Sequence, residues 1–357
     1  MRTVSFIALF LIALLQGMGQ TADNPKPSLP KDPREVLAAA APLYNFSDPA
    51  LKPWHLKAAY QLYDEKGGPG EKGIYEYWWA SPKVYRSSWT RADATRTEWR
   101  TADGALYRKE SGRPLRYFEG KLESILLPPL PARDALDSGR LKLDFKMIPL
   151  RQGNLACAIA TLQWELNGKM QAPSSETPEY YCFDLATLAL RMTSSNSFTT
   201  EFNQIVKTQG HYLARQAEVS SGKQRLFSVS VEMIEWLDSP DAILSPAGDA
   251  VLVRAAVSQP TPGKTGDDIA IGLLVKKTPP VYPMMAKMAH EQGVVVIAAV
   301  IGKDGRIHDL EVLASPSPLL SKSAVDAVKQ WEYKPYLLNG EPVEVETTVN
   351  VVFSLGG

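Results

Sequence analysis

The chain has 357 residues, and its 39 Lys and Arg balance 39 Asp and Glu. This balance gives no reason to expect nucleic acid or an anionic membrane surface as a partner. The length is sufficient for two domains with sizeable cores. Neither the four His nor the two Cys have the spacing of a metal or catalytic motif, and no phosphate loop or nucleophile elbow is present. The sequence therefore predicts no enzyme, no metal site and no cofactor.

Residues 1–20 have the pattern of an export signal. Arg2 precedes an apolar core over residues 4–15, and small residues follow at Gly17 and Gly19. The core is shorter than the ~20 residues that a spanning helix needs. We predict a cleaved signal peptide and an exported protein; the alternative is an uncleaved segment that anchors the chain in the inner membrane.

Residues 21–50 are predicted to form a Pro-rich linker and then a helix. Asp32-Pro33 is a helix-start signal for residues 34–43, which are rich in Ala. Residues 51–60 are predicted to add further helix.

Residues 51–257 are predicted to form a β-rich domain. Runs of aromatic and β-branched residues alternate with turn signals such as Asp103-Gly104, which indicates a large antiparallel sheet, curled or barrel-like. Cys157 and Cys182 fall in two of the predicted strands, on either side of a polar loop. An even number of cysteines in an exported chain favours a disulfide between them, and two buried free thiols are the alternative.

The order and texture of this region resemble the half-barrel of the LolA and LppX class of lipoprotein carriers: an N-terminal helix, then about eleven aromatic-rich strands. The resemblance implies an apolar face that could hold a lipid or another apolar ligand. The alternative is a filled sheet that has no ligand.

Residues 258–280 are predicted to be a second linker, and residues 281–357 a small α+β domain. A short helix after Pro283 leads into a strand, residues 294–301, that is apolar on both faces; such a strand is expected where helices cover one face and more chain covers the other. Asp304-Gly305 predicts a hairpin turn, residues 318–331 a second helix, and residues 343–353 an alternating strand. We expect two helices on one face of a three-stranded antiparallel sheet.

This stretch resembles the TonB C-terminal domain. The resemblance rests on a set of short motifs in the family's order and spacing: Tyr282-Pro283, Gly293 with the valines after it, Asp304-Gly305, Trp331-Glu332-Tyr333 and Gly340-Glu341-Pro342-Val343. It implies a partner-binding module that grips a short extended peptide of an outer-membrane receptor beside its last strand. It also implies a periplasmic location and a role in transport across the outer membrane.

The predicted binding site is the exposed edge of this last strand. Alternation places Val345, Val349 and the other odd-numbered residues against the helices, and the even-numbered residues on the open face. The backbone would pair with the incoming peptide. The predicted site comprises Glu344, Val345, Glu346, Thr347, Thr348, Val349 and Asn350.

Alternatives remain at the level of function. The edge could instead pair with a second copy of the chain as a homodimer, or its charges could simply protect it from aggregation. The runner-up to an interaction protein is a periplasmic carrier of a lipid or other apolar ligand, with the TonB-like module as its docking arm.

Overall fold

The computed structural model describes residues 32–64, 67–128, 130–131, 133–150, 153–166, 169–171, 178–184, 186–195, 197–239, 242–254, 274–338 and 341–355. The predicted signal peptide, the Pro-rich part of the first linker and most of the second linker lie outside these residues. We refer to residues 32–254 as the front domain and to residues 274–355 as the C-terminal domain.

The front domain is a large open antiparallel sheet with short helices on one face. Its helices are α1 (Pro33–Ala40), α2 (Tyr117–Gly120), α3 (Leu122–Leu126) and α4 (Arg133–Asp137), with 3₁₀ turns at Ala41–Tyr44 and Ala242–Leu244. Its strands are β1 (Trp54–Tyr63), β2 (Pro69–Ser81), β3 (Val84–Arg91), β4 (Thr95–Arg100), β5 (Leu106–Ser111), β6 (Leu141–Leu150), β7 (Gly153–Leu162), β8 (Trp164–Leu166), β9 (Lys169–Gln171), β10 (Glu179–Asp184), β11 (Leu190–Ser194), β12 (Thr199–Thr208), β13 (His211–Ser221), β14 (Gln224–Trp236) and β15 (Val251–Arg254). Within the described residues, thirteen of the strands form one sheet in the order β15-β5-β4-β3-β2-β1-β14-β13-β12-β11-β10-β7-β6, and β8 and β9 form a separate hairpin.

Strand β1 replaces the helix that was predicted over residues 51–60, so that prediction is wrong. The strand pairs with β2 on one side and with β14 on the other, which places it in the middle of the sheet. Its even-numbered residues, from Trp54 to Leu62, are buried on one face. Bulky side chains at every second position pack well on a pleated surface, and this tertiary packing outweighs the weak local preference for helix.

Aromatic side chains fill the face of the sheet that the helices cover. Trp54 stacks between neighbours on β2, with its ring centroid 5.3 Å from Tyr77 and 6.1 Å from Trp79. Helix α1 contacts β6 and β7, and α3 contacts β13. The described side chains here form one continuous buried cluster, which is the packing expected of the filled-sheet alternative.

The segment that carries α2 and α3, which the sequence did not predict, is held to this face by a buried carboxylate. Glu119 is fully buried and ion-paired with Arg91, whose Nη1 lies 3.2 Å from Oε2. Burial alone raises the pKa of Glu119, but its hydrogen bonds outweigh this effect and hold the pKa below its ordinary value. The donors are Arg113 Nη1 at 3.0 Å, Tyr60 OH at 2.7 Å and the Arg116 N–H at 2.8 Å.

The predicted disulfide between Cys157 and Cys182 is present. The two residues lie directly opposite each other on β7 and β10, with Cα atoms 4.0 Å apart. Both are fully buried in a small cluster with Leu155. The bond therefore joins neighbouring strands near one end of the sheet.

The C-terminal domain has two helices on one face of a three-stranded antiparallel sheet, which confirms the predicted α+β class. Its elements are β16 (Leu274–Lys276), α5 (Met284–Met288), β17 (Gly293–Ile301), β18 (Ile307–Ala314), α6 (Pro318–Val328), β19 (Glu332–Tyr333), β20 (Tyr336–Leu338), β21 (Glu341–Val343) and β22 (Val345–Phe353). The sheet order is β18-β17-β22. Asp304-Gly305 forms the predicted hairpin turn: Gly305 has a φ of 82°, and Asp304 accepts the Arg306 N–H at 3.0 Å.

The last strand is shorter than the predicted range of residues 343–353. Residues Glu341–Val343 instead form a small hairpin with Tyr336–Leu338, and the long strand begins at Val345. Pro342 lacks the N–H that a strand in a continuous ladder would donate, so this segment suits a short hairpin better than an extension of β22.

The disulfide should stabilise the folded chain. Replacing both Cys157 and Cys182 with Ala should lower the free energy of unfolding by about 3 kcal/mol, the chain-entropy value for a loop of this size. Urea unfolding of the variant and of the oxidised wild type measures the difference. Non-reducing peptide mapping of the native protein provides the control, and free thiols at both positions would contradict the assignment.

The Glu119 network should make stability depend on pH in the acid range. Because the folded-state pKa is lowered, the stabilisation is present above the ordinary value of 4.5 and is lost as pH falls through the folded-state value. Glu119→Gln should lower the free energy of unfolding at neutral pH by about 3 kcal/mol, since it leaves the buried Arg91 without its counter-charge. The same substitution should also make the free energy of unfolding vary less with pH in the acid range. Glu110→Gln on β5 is the exposed control, and equal pH profiles for all three proteins would refute the role of Glu119.

Candidate partner-binding edge strand

Strand β22 lies at the edge of the three-stranded sheet. It pairs antiparallel with β17 over its whole length, from Val345 opposite Ile301 to Phe353 opposite Gly293. Among the described residues, β17 is the only strand paired with it. Within the part of the chain that the structure describes, the sheet therefore ends at the predicted strand.

The side chains of β22 alternate as predicted. The odd-numbered residues are buried, and Val349, Val351 and Phe353 belong to the core beneath the helices. Their partners in that core include Val295 and Ile297 on β17, and Leu320, Ala324 and Trp331 in or just after α6. Among the even-numbered residues of the strand, Glu346, Asn350 and Val352 are exposed and Thr348 is half-buried. Glu344, which immediately precedes the strand, is also exposed. The register of the strand is fixed by its apolar row.

The backbone of β22 directs alternate groups outward. In the β17–β18 hairpin the Gly302 N–H donates to the Arg306 carbonyl, 2.8 Å away. Since backbone groups alternate sides along a strand, the even-numbered residues of β17 face β18 and the odd-numbered ones face β22. The pairing of Ile301 with Val345 then turns the N–H and C=O groups of the even-numbered residues of β22 away from β17, towards the outer edge.

The second face of the sheet is covered by the front domain. Val296 and Ala298 on β17, with Leu313 and Ala314 on β18, join the large apolar cluster of the front domain. The Tyr117 N–H, at the start of α2, donates to Glu311 Oε2 at 3.0 Å. The two domains thus share a continuous apolar interface that has a polar contact at its border.

This interface extends to β22 itself. Lys121, between α2 and α3, places Nζ 2.7 Å from Glu346 Oε2. Ser197, before β12, exchanges hydrogen bonds with the Asn350 amide at 3.0 and 3.2 Å. We expected Glu346 and Asn350 on an open face, but their side chains contact the front domain because the face they share with Ala298 is docked there.

A metal site and a membrane-spanning helix are both absent from the part of the chain that the structure describes. No group of three or more His, Cys, Asp or Glu side chains could hold a metal ion there. Within the same residues, no helix has the length and apolar character needed to cross a membrane.

Comparison with known proteins confirms the resemblance of the C-terminal region. Residues 278–355 match the family described as Gram-negative bacterial TonB protein C-terminal. Protein TonB of Pseudomonas aeruginosa is 33% identical over 82 residues, and protein TonB of Vibrio cholerae is 30% identical over 107 residues. These alignments cover 23% and 28% of this chain, and 24% and 44% of the respective relatives. The chain therefore spans less than half of the length of either relative.

Similar solved structures exist for both domains. The solution structure of the Pseudomonas aeruginosa TonB CTD is 32% identical and has a TM-score of 0.22. The aligned region covers 24% of this chain and 86% of the chain in that structure. The crystal structure of a LolA superfamily protein from Nitrosomonas europaea is 8% identical and has a TM-score of 0.36. The aligned region covers 60% of this chain and 97% of the chain in that structure.

Docking of the two domains should depend on the small side chain of Ala298. Ala298→Glu should place a carboxylate in the apolar interface and weaken it, so that the amide of Tyr117 loses protection. We expect hydrogen exchange of that amide to accelerate about tenfold or more, which corresponds to ~1.4 kcal/mol of lost protection. Mass spectrometry of peptides that span residues 113–122 measures the exchange.

Val294→Glu is the matched control, since Val294 lies on the same strand and face but is 42% exposed. In the Val294→Glu variant, the Tyr117 amide should exchange at the same rate as in the wild type. Unchanged protection in the Ala298 variant would mean that the two domains do not depend on this contact.

Proposed function

We propose that this chain is an interaction protein whose C-terminal sheet captures an extended peptide along the outer edge of β22. The observation that carries the proposal is the combination of an edge position, within the described residues, with the outward-directed backbone groups of Glu346, Asn350 and Val352. Such an edge can add a strand, with main-chain hydrogen bonds providing affinity and neighbouring side chains providing selectivity.

The class of partner follows from the family match. The C-terminal region is similar to the TonB C-terminal domain, which supports a TonB-like role. We infer that the partner is a segment of an outer-membrane receptor and that the protein acts in the periplasm after export. The site then comprises Glu344 through Asn350, extended by Val352.

A carrier role for the front domain receives less support. A carrier needs apolar space under its sheet, whereas the described side chains on the covered face, such as Trp54, Tyr77 and Phe227, pack into one cluster. This packing favours the interaction protein over the carrier. The front domain then supports the C-terminal sheet, as its contacts with β17, β18 and β22 suggest.

The proposal is tested by removing one outward N–H from the edge. Val352→Pro removes it at a position whose backbone faces away from β17, so the internal ladder should be retained. Binding of receptor peptides should weaken about fivefold, the equivalent of ~1 kcal/mol for one backbone hydrogen bond. Isothermal titration of the full chain against synthetic ten-residue peptides from the periplasmic segments of outer-membrane receptors measures the affinity.

Val352→Ala is the control, because it shortens the same side chain but retains the N–H. It should bind like the wild type. A folded Val352→Pro protein that binds the same peptides with unchanged affinity would count against strand addition at this edge. If the substitution instead abolishes self-association, the edge is a homodimer contact.

A further inference from the structure

We propose that the front domain binds a neutral oligosaccharide in a polar groove on the face of its sheet that is opposite to the helices. We define the polar groove as two adjoining depressions, of about 710 and 680 Å³, that both contact Glu218 and Arg225. Each volume lies in the range of small-molecule sites in proteins. All residues that line the groove belong to the front domain, so this site is separate from the edge of β22.

The groove has a floor of small side chains in the middle of the sheet. Since the even-numbered residues of β1 face the core, Ala59 and Gln61 point to the opposite face. The strand register places Ala59 opposite Ser230 on β14, and Gln61 opposite Ser228. The alanine and the two serines line the larger depression, and longer side chains of the neighbouring strands surround them.

A row of hydrogen-bonding side chains crosses the larger depression at right angles to the strands. Six residues on six adjacent strands lie directly opposite one another: Asn203, Gln216, Ser230, Ala59, Ile74 and Thr90. With neighbouring strands about 4.8 Å apart, the row is about 24 Å long. Its amide and hydroxyl side chains are all exposed, so they can donate hydrogen bonds to a ligand and accept them from it. The row therefore suits an elongated ligand with polar groups along its length.

The charges around the groove nearly cancel. Glu218 Oε1 and Arg225 Nε are paired at 2.9 Å. Among the other described residues of the two rims, Lys72 and Glu201 have opposite signs, and Lys223 leaves an excess of one positive charge. This excess is too small to attract a polyanion strongly.

The chemistry of the lining selects among the remaining classes of ligand. A wholly apolar ligand would desolvate the amides and hydroxyls without replacing their hydrogen bonds with water. An oligosaccharide replaces these bonds through its own hydroxyl groups. The C–H faces of its rings can also cover the apolar surface that Ala59, Ile74 and the ring of Tyr63 provide. Arg225 holds that ring at the border of the groove, with its guanidinium 5.2 Å from the ring centroid.

Isothermal titration of the full chain with soluble sugars tests the inference. The probes are three neutral hexasaccharides, namely chitohexaose, cellohexaose and maltohexaose, together with a heparin hexasaccharide as the polyanion. At least one neutral hexasaccharide should bind with a Kd of about 1 mM or tighter. The disaccharide of the same sugar should bind about tenfold more weakly or worse, because it cannot extend along the whole row.

Two variants and a matched control locate the binding site. Ser230→Trp should fill the floor of the groove and weaken binding of the hexasaccharide at least tenfold. Gln216→Ala removes one exposed amide, a change that the fold should tolerate, and should weaken binding about fivefold through the loss of one hydrogen bond. Ser111→Trp is the control, since Ser111 is an exposed serine on the same face of the sheet but lies on β5, outside the groove. It should bind like the wild type.

Three results would overturn the inference. The first is that the wild type binds none of the neutral hexasaccharides, and the second is that it binds the heparin hexasaccharide at least as tightly. The third is that folded Ser230→Trp and Gln216→Ala proteins both retain the wild-type affinity, which would place any sugar site elsewhere on the molecule. Urea unfolding of each variant confirms that a loss of binding does not come from a loss of the fold.

Discussion

The C-terminal domain depends on one strand that is buried on both of its faces. Odd-numbered residues of β17, such as Ile297, pack beneath α6, while Val296 and Ala298 pack into the core of the front domain. A strand with apolar residues on both faces has no side that tolerates water, so it requires cover from two directions. Because β17 also provides the ladder for β22, the edge strand is held in place by both domains.

The buried carboxylate of Glu119 extends this dependence into the front domain. It fixes the segment of α2 and α3 onto the large sheet, and this segment presents the Tyr117 N–H and Lys121 to the C-terminal sheet. A charge buried in this way destabilises the fold unless all its partners are present, and therefore it also specifies one arrangement of the chain. The position of the edge strand therefore depends, through these contacts, on Glu119 and its two arginine partners, Arg91 and Arg113.

Local patterns predicted the C-terminal domain well and the front domain only in outline. Asp304-Gly305 specifies its turn through backbone conformation alone, and the alternation of β22 specifies which residues are buried, so both could be read from neighbouring residues. The two-sided apolar run of β17 also indicated that more chain must cover it. Which chain covers it could not be predicted, since Lys121 and Ser197 approach β22 from positions that are far away in the sequence. Strand β1 was taken for a helix for the same reason: its strand character comes from pairing with β2 and β14.

The pairing of β1 with β14 has a consequence for how the chain assembles. Strands β1 to β5 form successive hairpins that need no later part of the chain. The second side of β1 pairs with β14, so Trp54 can lie opposite Trp236 only when the chain up to residue 236 is available. Contacts between such distant residues form slowly, because the loop must close before any pairing compensates for the lost entropy. Until then the middle of the future sheet is an unpaired, aromatic-rich edge that is prone to aggregation. The order of assembly therefore leaves β1, the centre of the finished sheet, among the last strands to gain both of its neighbours.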